Sequence, residues 1–145
     1  MNILVIHGPN LHLLGKREPA LYGRATLKQL DALLKTRAAG LGASLRCFQS
    51  NCEGGIIDLL TAHRGWARAL IINPAAYTHY SYAIRDAIKA LGLPAVEVHL
   101  TDISKRESFR KISVIRPVCA ARFKGEGPVS YLKALEYCVK SLNKS

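Results

Sequence analysis

The chain has no run of eighteen or more apolar residues, and its opening MNILVIH carries no basic segment ahead of an apolar core. Neither a membrane span nor a signal peptide is therefore expected, and a soluble cytoplasmic protein is the expectation. The four cysteines, Cys47, Cys52, Cys119 and Cys138, form no C-x-x-C pair and sit in apolar or strand-like context, which favours buried reduced thiols over disulfides or a metal site. Acidic residues are scarce as well: ten Asp and Glu stand against twenty-one Lys and Arg, a net charge of +11. Such an excess raises nucleic-acid binding first. The basic residues nevertheless form no run of five, and the densest group, Lys105, Arg106, Arg110, Lys111, Arg116, Arg122 and Lys124, is interleaved with only Phe109 and Phe123 and holds no recognisable RNA or DNA motif. A few of these charges serve a small anionic substrate equally well. Internal repeats and low-complexity segments are missing too, and 145 residues suit one domain, residues 1–145, that buries roughly two thirds of its unfolded surface.

What the chain does have is one unusual stretch, His7 to Gly23, reading HGPNLHLLGKREPALYG after the apolar run Asn2 to Ile6. The next clear helix start is Thr26, so the connection is about three times the usual strand-to-helix length. Leu11, Leu13, Leu14, Leu21 and Tyr22 make disorder a poor account of it, and Lys16, Arg17 and Glu18 concentrate charge at its middle. A mobile lid carrying chemistry over the end of the first strand is the expectation.

Four short apolar runs closed by turn residues read as strands: Ile3 to Ile6, Ser44 to Phe48, Ala69 to Ile72 and Ala95 to Leu100. Helical patterns lie between them. Thr26 and Gln29 have capping-box spacing ahead of Leu27, Leu30, Leu33, Leu34 and Leu41 on one face, and Gly40 and Gly42 stop that helix. Ser50 and Glu53 repeat the spacing ahead of Ile56, Ile57, Leu59 and Leu60, with Gly54 and Gly55 weakening the first turn. A third helix runs from about Ser81 to Gly92, before Pro94, and a last one from Val129 to Leu142. A fifth strand falls at Ser113 to Ile115 or at Val118 to Phe123. The alternation, with runs such as LVI and LII that imply burial on both faces, predicts an α/β three-layer sandwich around a parallel sheet. Its commonest five-strand order is the flavodoxin-like 2-1-3-4-5, which brings the ends of strands one, three and four to one crevice.

Three polar segments follow those strands: the long loop, Asn73 to His79 (NPAAYTH) and His99 to Arg110 (HLTDISKRESFR). Together they bring Asn10, Arg17, Tyr22, Asn73, His79, His99, Arg106 and Arg110, a set of amides, imidazoles, a phenol and guanidiniums with no obvious acidic base. A basic nucleotide- or nucleic-acid-binding protein without catalysis is the rival reading, but the loop after strand one is not glycine-rich and carries Pro9 and bulky leucines. An imine-forming enzyme would need a buried lysine, and only Lys16 and Lys105 fall in the expected crevice.

At these segments the chain resembles the type II 3-dehydroquinate dehydratases, through ILVIHGPNL, LLGKREP, YG, FQSN with EG, IINPAAYTH, IRDA, VEVHL and KRE with FR in order. The resemblance spans nearly the whole chain. It implies a flavodoxin-like fold, a homododecamer of four trimers, no cofactor, and trans elimination of water from 3-dehydroquinate to 3-dehydroshikimate, in shikimate synthesis or in quinate breakdown. It implies Tyr22 as the base, His99 as the acid, and Asn10 as the residue that holds the enolate oxygen through a water. Arg17, five residues before Tyr22, is the cation that would draw a phenol's titration down from about pH 10. Glu97, two residues before His99 on the same strand face, can orient the ring and favour its charged form. The resemblance further implies backbone N–H groups of Leu100 and Thr101 for the substrate carboxylate, Asn73, His79 and Arg110 for ring hydroxyls, Arg106 as lid support, and Asp86 reaching a neighbouring subunit's site. His7, His12 and His63 read as structural or exposed. The chain departs from the family pattern at His12, Tyr80, Thr101-Asp102, Arg122, Lys124 and Ser130, and Asp102 would put a carboxylate close to where a carboxylate must bind.

Overall fold

In the computed structural model, which describes residues 1–142 and of Tyr22 the backbone alone, five parallel strands are laid out in the order β2-β1-β3-β4-β5. They are β1 (Asn2–His7), β2 (Ser44–Gln49), β3 (Ala69–Asn73), β4 (Ala95–His99) and β5 (Ala121–Lys124). The order is the flavodoxin-like one that the alternation predicts, and the register sets Ile3 to His7 of β1 beside Ala69 to Asn73 of β3. Residues Ile3 to His7 and all of β3 and β4 are buried, because helices cover both faces of the central strands. The edge strands β2 and β5, with one neighbour each, stay half exposed.

Alternation along the strands divides the core in two. Ile3, Val5, Ile71, Val96 and Val98 pack against α2 (Leu27–Gly40) and α5 (Pro128–Ser141). Leu4, Ile6, Leu70 and Ile72 pack on the opposite face against α3 (Glu53–His63) and α4 (Tyr82–Leu91). The capping box of α2 forms as its spacing predicts: Thr26 Oγ accepts from Gln29 N at 3.1 Å while Gln29 Oε1 accepts from Thr26 N at 2.9 Å.

Several details differ from the sequence expectation. The long loop is not bare coil, since Leu11–Leu13 forms a 3-10 turn and Pro19–Tyr22 a one-turn helix, α1, with proline in its first turn and Gly23 at its end. Leu33 faces outward at 43% exposure, and Ala38 completes the buried stripe of Leu30 and Leu34, because one residue's step of 100° carries Leu33 off that stripe. The second capping box does not form. Cys52 takes the cap position of α3, Ser50 Oγ accepts from Cys52 N at 3.1 Å, and Glu53 instead accepts from Ser81 Oγ at 2.6 Å. The fifth strand is Ala121–Lys124, which overlaps the later of the two candidate segments and runs one residue past its end, and α5 starts one residue early because Pro128 suits the first helical position. Cys119 and Cys138 are buried, and burial pushes both thiols up to about 12. Cys52 is exposed, against expectation, as a loop residue entering α3.

No helix among the described residues is long and apolar enough to cross a membrane.

Candidate active site

The sheet order makes β1, β3 and β4 neighbours, and a cavity of about 140 Å³ opens beyond their carboxyl ends. Backbone contact builds its floor. Gly8 N donates to Asn73 O at 2.7 Å, and a Cβ at Gly8 would lie 2.6 Å from the Pro74 carbonyl, so only glycine lets the first loop close onto the turn after β3. Asn10 follows at φ 68°, a left-handed conformation that asparagine tolerates, and lines the cavity at its exposed rim.

His99 ends β4 and is nearly enclosed, with 5% of its side chain exposed against 0% for Glu97. The period of two along the strand puts both side chains on one face, as expected, and His99 Nε2 lies 2.7 Å from Glu97 Oε2. A carboxylate only accepts, so Nε2 carries a proton and Nδ1 is the ring nitrogen left for a ligand. Glu97 is held from two more sides, by Ser113 Oγ donating to Oε1 at 2.7 Å and by Arg122 Nη1 at 4.0 Å from Oε2. Burial alone would raise the Glu97 carboxyl. The His99 hydrogen bond and charge, the Ser113 hydroxyl and the Arg122 cation outweigh it and hold the group below the ordinary carboxylate range.

His79 closes another wall. Its Nδ1 donates to Ile112 O at 2.7 Å, which leaves Nε2 as an acceptor, and Phe109 packs edge-on at 5.7 Å between ring centroids. Burial, together with the nearby His99 and Arg110, outweighs that carbonyl and lowers the His79 ring below its ordinary value, so it is neutral at pH 7. Asn73 also lines the cavity, with Oδ1 accepting from Ala75 N at 3.1 Å, and this bond braces Ala75 at φ 52°.

Arg17, Arg106 and Arg110 complete the lining with Leu100, Thr101 and Ile103. Arg110 Nε donates to Glu107 Oε2 at 2.6 Å and its guanidinium lies over the Phe109 ring at 4.7 Å. Among the described residues the lining therefore holds three guanidiniums and two imidazoles, and no carboxylate or lysine. Lys16 and Lys105 are absent from it, which corrects the expectation that they fall in the crevice. Such a wall suits a small anion with hydrogen-bonding groups.

Of the other expected site residues, Tyr22 ends α1, and its side chain lies outside the described residues. Asp86 is exposed on α4, away from the cavity. It follows Tyr82, itself 65% exposed, by four residues and so shares its helix face.

Two departures from the family pattern answer each other. Asp102 Oδ1 accepts from Ser104 Oγ at 2.6 Å, Ser104 N at 3.1 Å and Lys124 Nζ at 3.0 Å, and is not part of the cavity lining. Ser104 first and Lys124 second draw the Asp102 carboxyl down to about 2. The Asp102 charge is thus met by a cation from β5. Arg122, facing Glu97 across the β4–β5 ladder, is the second such cation. Tyr80 is exposed and His12 sits on an outer groove beside α2, while Ser130 is buried and its Oγ accepts from Glu126 N at 3.0 Å. Of the histidines, His7 is buried and bonded to Tyr131 and Asp31, and His63 stacks on Phe48 at 4.5 Å.

Ser113 was not singled out by sequence reasoning. It lies 16 residues from Glu97, at the start of the earlier candidate for the fifth strand, and only the folded chain shows the contact.

Comparison with known proteins gives a consistent result. A family model described as dehydroquinase class II matches residues 1–139. The chain is 50% identical over 144 residues to the 3-dehydroquinate dehydratase of Desulforudis audaxviator, covering 99% of this chain and 96% of that protein. It is 52% identical over 135 residues to the enzyme of the same name from Pelotomaculum thermopropionicum, covering 93% and 94%. The crystal structure of type II dehydroquinase from Butyrivibrio crossotus superposes with a TM-score of 0.93 at 40% identity, over 97% of this chain and 98% of that one.

Proposed function

The chain belongs to the class II dehydroquinase family, which dehydrates 3-dehydroquinate, and from that premise we propose that it does so by trans elimination through an enolate. The observation that carries this reading is the buried His99–Glu97 pair opening, at the end of β4, onto a cavity walled by arginines and imidazoles, with no carboxylate among the described residues that line it.

The elimination needs a base for the proton beside the ketone, donors for the enolate oxygen and an acid for the departing hydroxyl. Tyr22, ionised with help from Arg17, is the base. Asn10 holds the enolate oxygen through a water at the cavity rim. His99, its Nε2 committed to Glu97, delivers the Nδ1 proton to the hydroxyl, which leaves as water. The buried carboxylate balances the ring's positive charge before transfer and keeps it aimed afterwards. Substrate binding is assigned to the backbone N–H groups of Leu100 and Thr101 for the carboxylate, and to Asn73, His79 and Arg110 for ring hydroxyls. Neutral His79 accepts a hydrogen bond from a hydroxyl at Nε2. Arg106 supports closure of the first loop as a lid.

The enzyme is proposed as a cytoplasmic homododecamer of four trimers, with residues 1–145 as one catalytic domain. Exposed Tyr80, Tyr82, Phe109 and Ile112 support assembly, since monomers seldom leave such apolar area uncovered near a site. Asp86, on the same face of α4 as Tyr82, then comes within reach of a neighbour's site. The pathway is shikimate synthesis, with quinate catabolism as the alternative because both pass through this elimination.

The test is ultraviolet absorbance of the conjugated enone product after adding 3-dehydroquinate. Steady formation without added metal or cofactor, unaffected by borohydride in the presence of substrate, is expected. Absence of the product would overturn the assignment, and borohydride inactivation would replace the enolate route by an imine route.

A further inference from the structure

Two fully buried polar side chains, His7 at the end of β1 and Tyr131 on α5, take no part in the steps above, yet they connect the protein surface to the cavity. His7 Nε2 lies 2.7 Å from Asp31 Oδ1 on α2, and His7 Nδ1 lies 3.1 Å from the Tyr131 hydroxyl. Asn73 Nδ2 donates to the same hydroxyl at 3.2 Å, and Asn73 Oδ1 accepts from Ala75 N at 3.1 Å. The series spans residues 7, 31, 73 and 131, so four separate elements converge on it.

One proton arrangement satisfies every member. Asp31 as a carboxylate can only accept, so the His7 proton is on Nε2 and Nδ1 carries the lone pair. Tyr131 must then donate to Nδ1, and its oxygen is left to accept from Asn73. Burial pushes the Tyr131 phenol far above its ordinary value, so it keeps the proton it donates. Turning the Asn73 amide over would set its NH₂ against Ala75 N–H and leave buried donors unpaired, at a cost of about 1–3 kcal/mol each. With one Nδ2–H given to Tyr131 and Oδ1 to Ala75, the remaining Nδ2–H is the donor that Asn73 offers a ligand.

We propose that Asp31, His7 and Tyr131 form a buried positioning relay that fixes the amide of Asn73, and with it the donor offered to a substrate hydroxyl. This rests on the reading of Asn73 as a hydroxyl-binding residue. The three are positioning residues, since none of them touches the cavity. Asp31 is the relay's outer end, with 23% of its side chain exposed, and it lines the outer groove with His12, Lys28 and Lys35.

Tyr131→Phe keeps the buried ring and removes only the hydroxyl. A three- to tenfold rise in KM for 3-dehydroquinate is expected, with kcat changed less, on the scale of one lost net hydrogen bond. Asn73→Ala should cost a similar factor, and the double variant should be no worse than Asn73→Ala alone, because one residue acts through the other. Nitrogen-15 NMR of the histidine rings should find His7 neutral with its proton on Nε2, and its Nδ1 resonance should move in Tyr131→Phe as the hydrogen bond is lost. Additive losses in the double variant, or a His7 proton on Nδ1, would overturn the relay. If Asn73→Ala leaves KM unchanged while the His7 signature holds, the hydroxyl-binding reading of Asn73 falls, and the proposed effect on the substrate falls with it.

Discussion

Replacing His99 by alanine should lower kcat by about 10²- to 10⁴-fold and leave KM much less affected, the scale of removing a positioned proton donor. The hydroxyl would otherwise depart as hydroxide from a cavity whose wall offers no other group already oriented by a buried carboxylate. His99 is fixed by three independent features: its place at the end of a fully buried strand, the 2.7 Å bond from Nε2 to Glu97, and the second hold on that carboxylate by Ser113. Glu97→Gln keeps the shape but offers a neutral partner that can turn its NH₂ to the ring, so an intermediate loss is expected. The pH dependence separates the two residues. The Glu97 carboxyl is depressed in the folded protein, so the stability it contributes is present above its ordinary value of 4.5 and is lost as pH falls through the lower folded value. Glu97 is thus ionised throughout the neutral range, and a limb of the kcat profile near neutrality belongs to the acid or the base. Steady-state kinetics across pH checks this, and near-normal kcat in His99→Ala would remove His99 from the acid's role.

Why the pair could be read before the fold was known is a matter of period. Two residues apart on a strand means one face, and a strand ending in histidine beside the β1/β3 switch means the crevice, so Glu97 and His99 needed only the strand assignment. The sheet order was legible for a similar reason: LVI and LII admit few environments other than a parallel strand covered on both sides. Local signals misled where a tertiary partner outbid them. Ser50 and Glu53 have capping-box spacing, but Ser81 takes Glu53 and Ser50 accepts from Cys52 N instead, so Cys52 becomes the cap residue and the helix starts on Glu53. Pro19 and Gly23 bracket α1, but a single turn is too short to show a period, so the stretch reads as loop.

Contacts across the sheet left no trace in the sequence. Lys124 and Arg122 look like intrusions in an apolar stretch until the β4–β5 register sets them opposite His99 and Glu97, where Lys124 answers Asp102 and Arg122 faces the Glu97 carboxylate. The same holds for His7 and Tyr131, 124 positions apart, whose contact depends on β1 and α5 meeting in one core. Their polarity in an otherwise apolar stretch is the one signal that could have raised the question.

Tyr22→Phe should lower kcat by at least about 10²-fold with little change in fold, because the phenyl ring preserves volume and removes only the ionisable group. Pro19 and Gly23 bracket α1, so Tyr22 is presented by a short helix that starts two residues after Arg17, and Arg17 lines the cavity. A free phenol titrates near pH ~10, too high for a base at neutrality, and a guanidinium nearby favours the phenolate. Removing that cation raises the phenol's titration, and since activity requires the ionised form, the acid-side limb of the pH–rate profile must move to higher pH. Arg17→Met is therefore expected to lose activity at pH 7 and recover part of it at alkaline pH, whereas Tyr22→Phe recovers none. Enone formation measured from pH 6 to about pH 10 distinguishes the cases. An Arg17→Met profile that falls uniformly, with only KM raised, would assign Arg17 to substrate binding, and near-wild-type turnover in Tyr22→Phe would remove Tyr22 from the base's role.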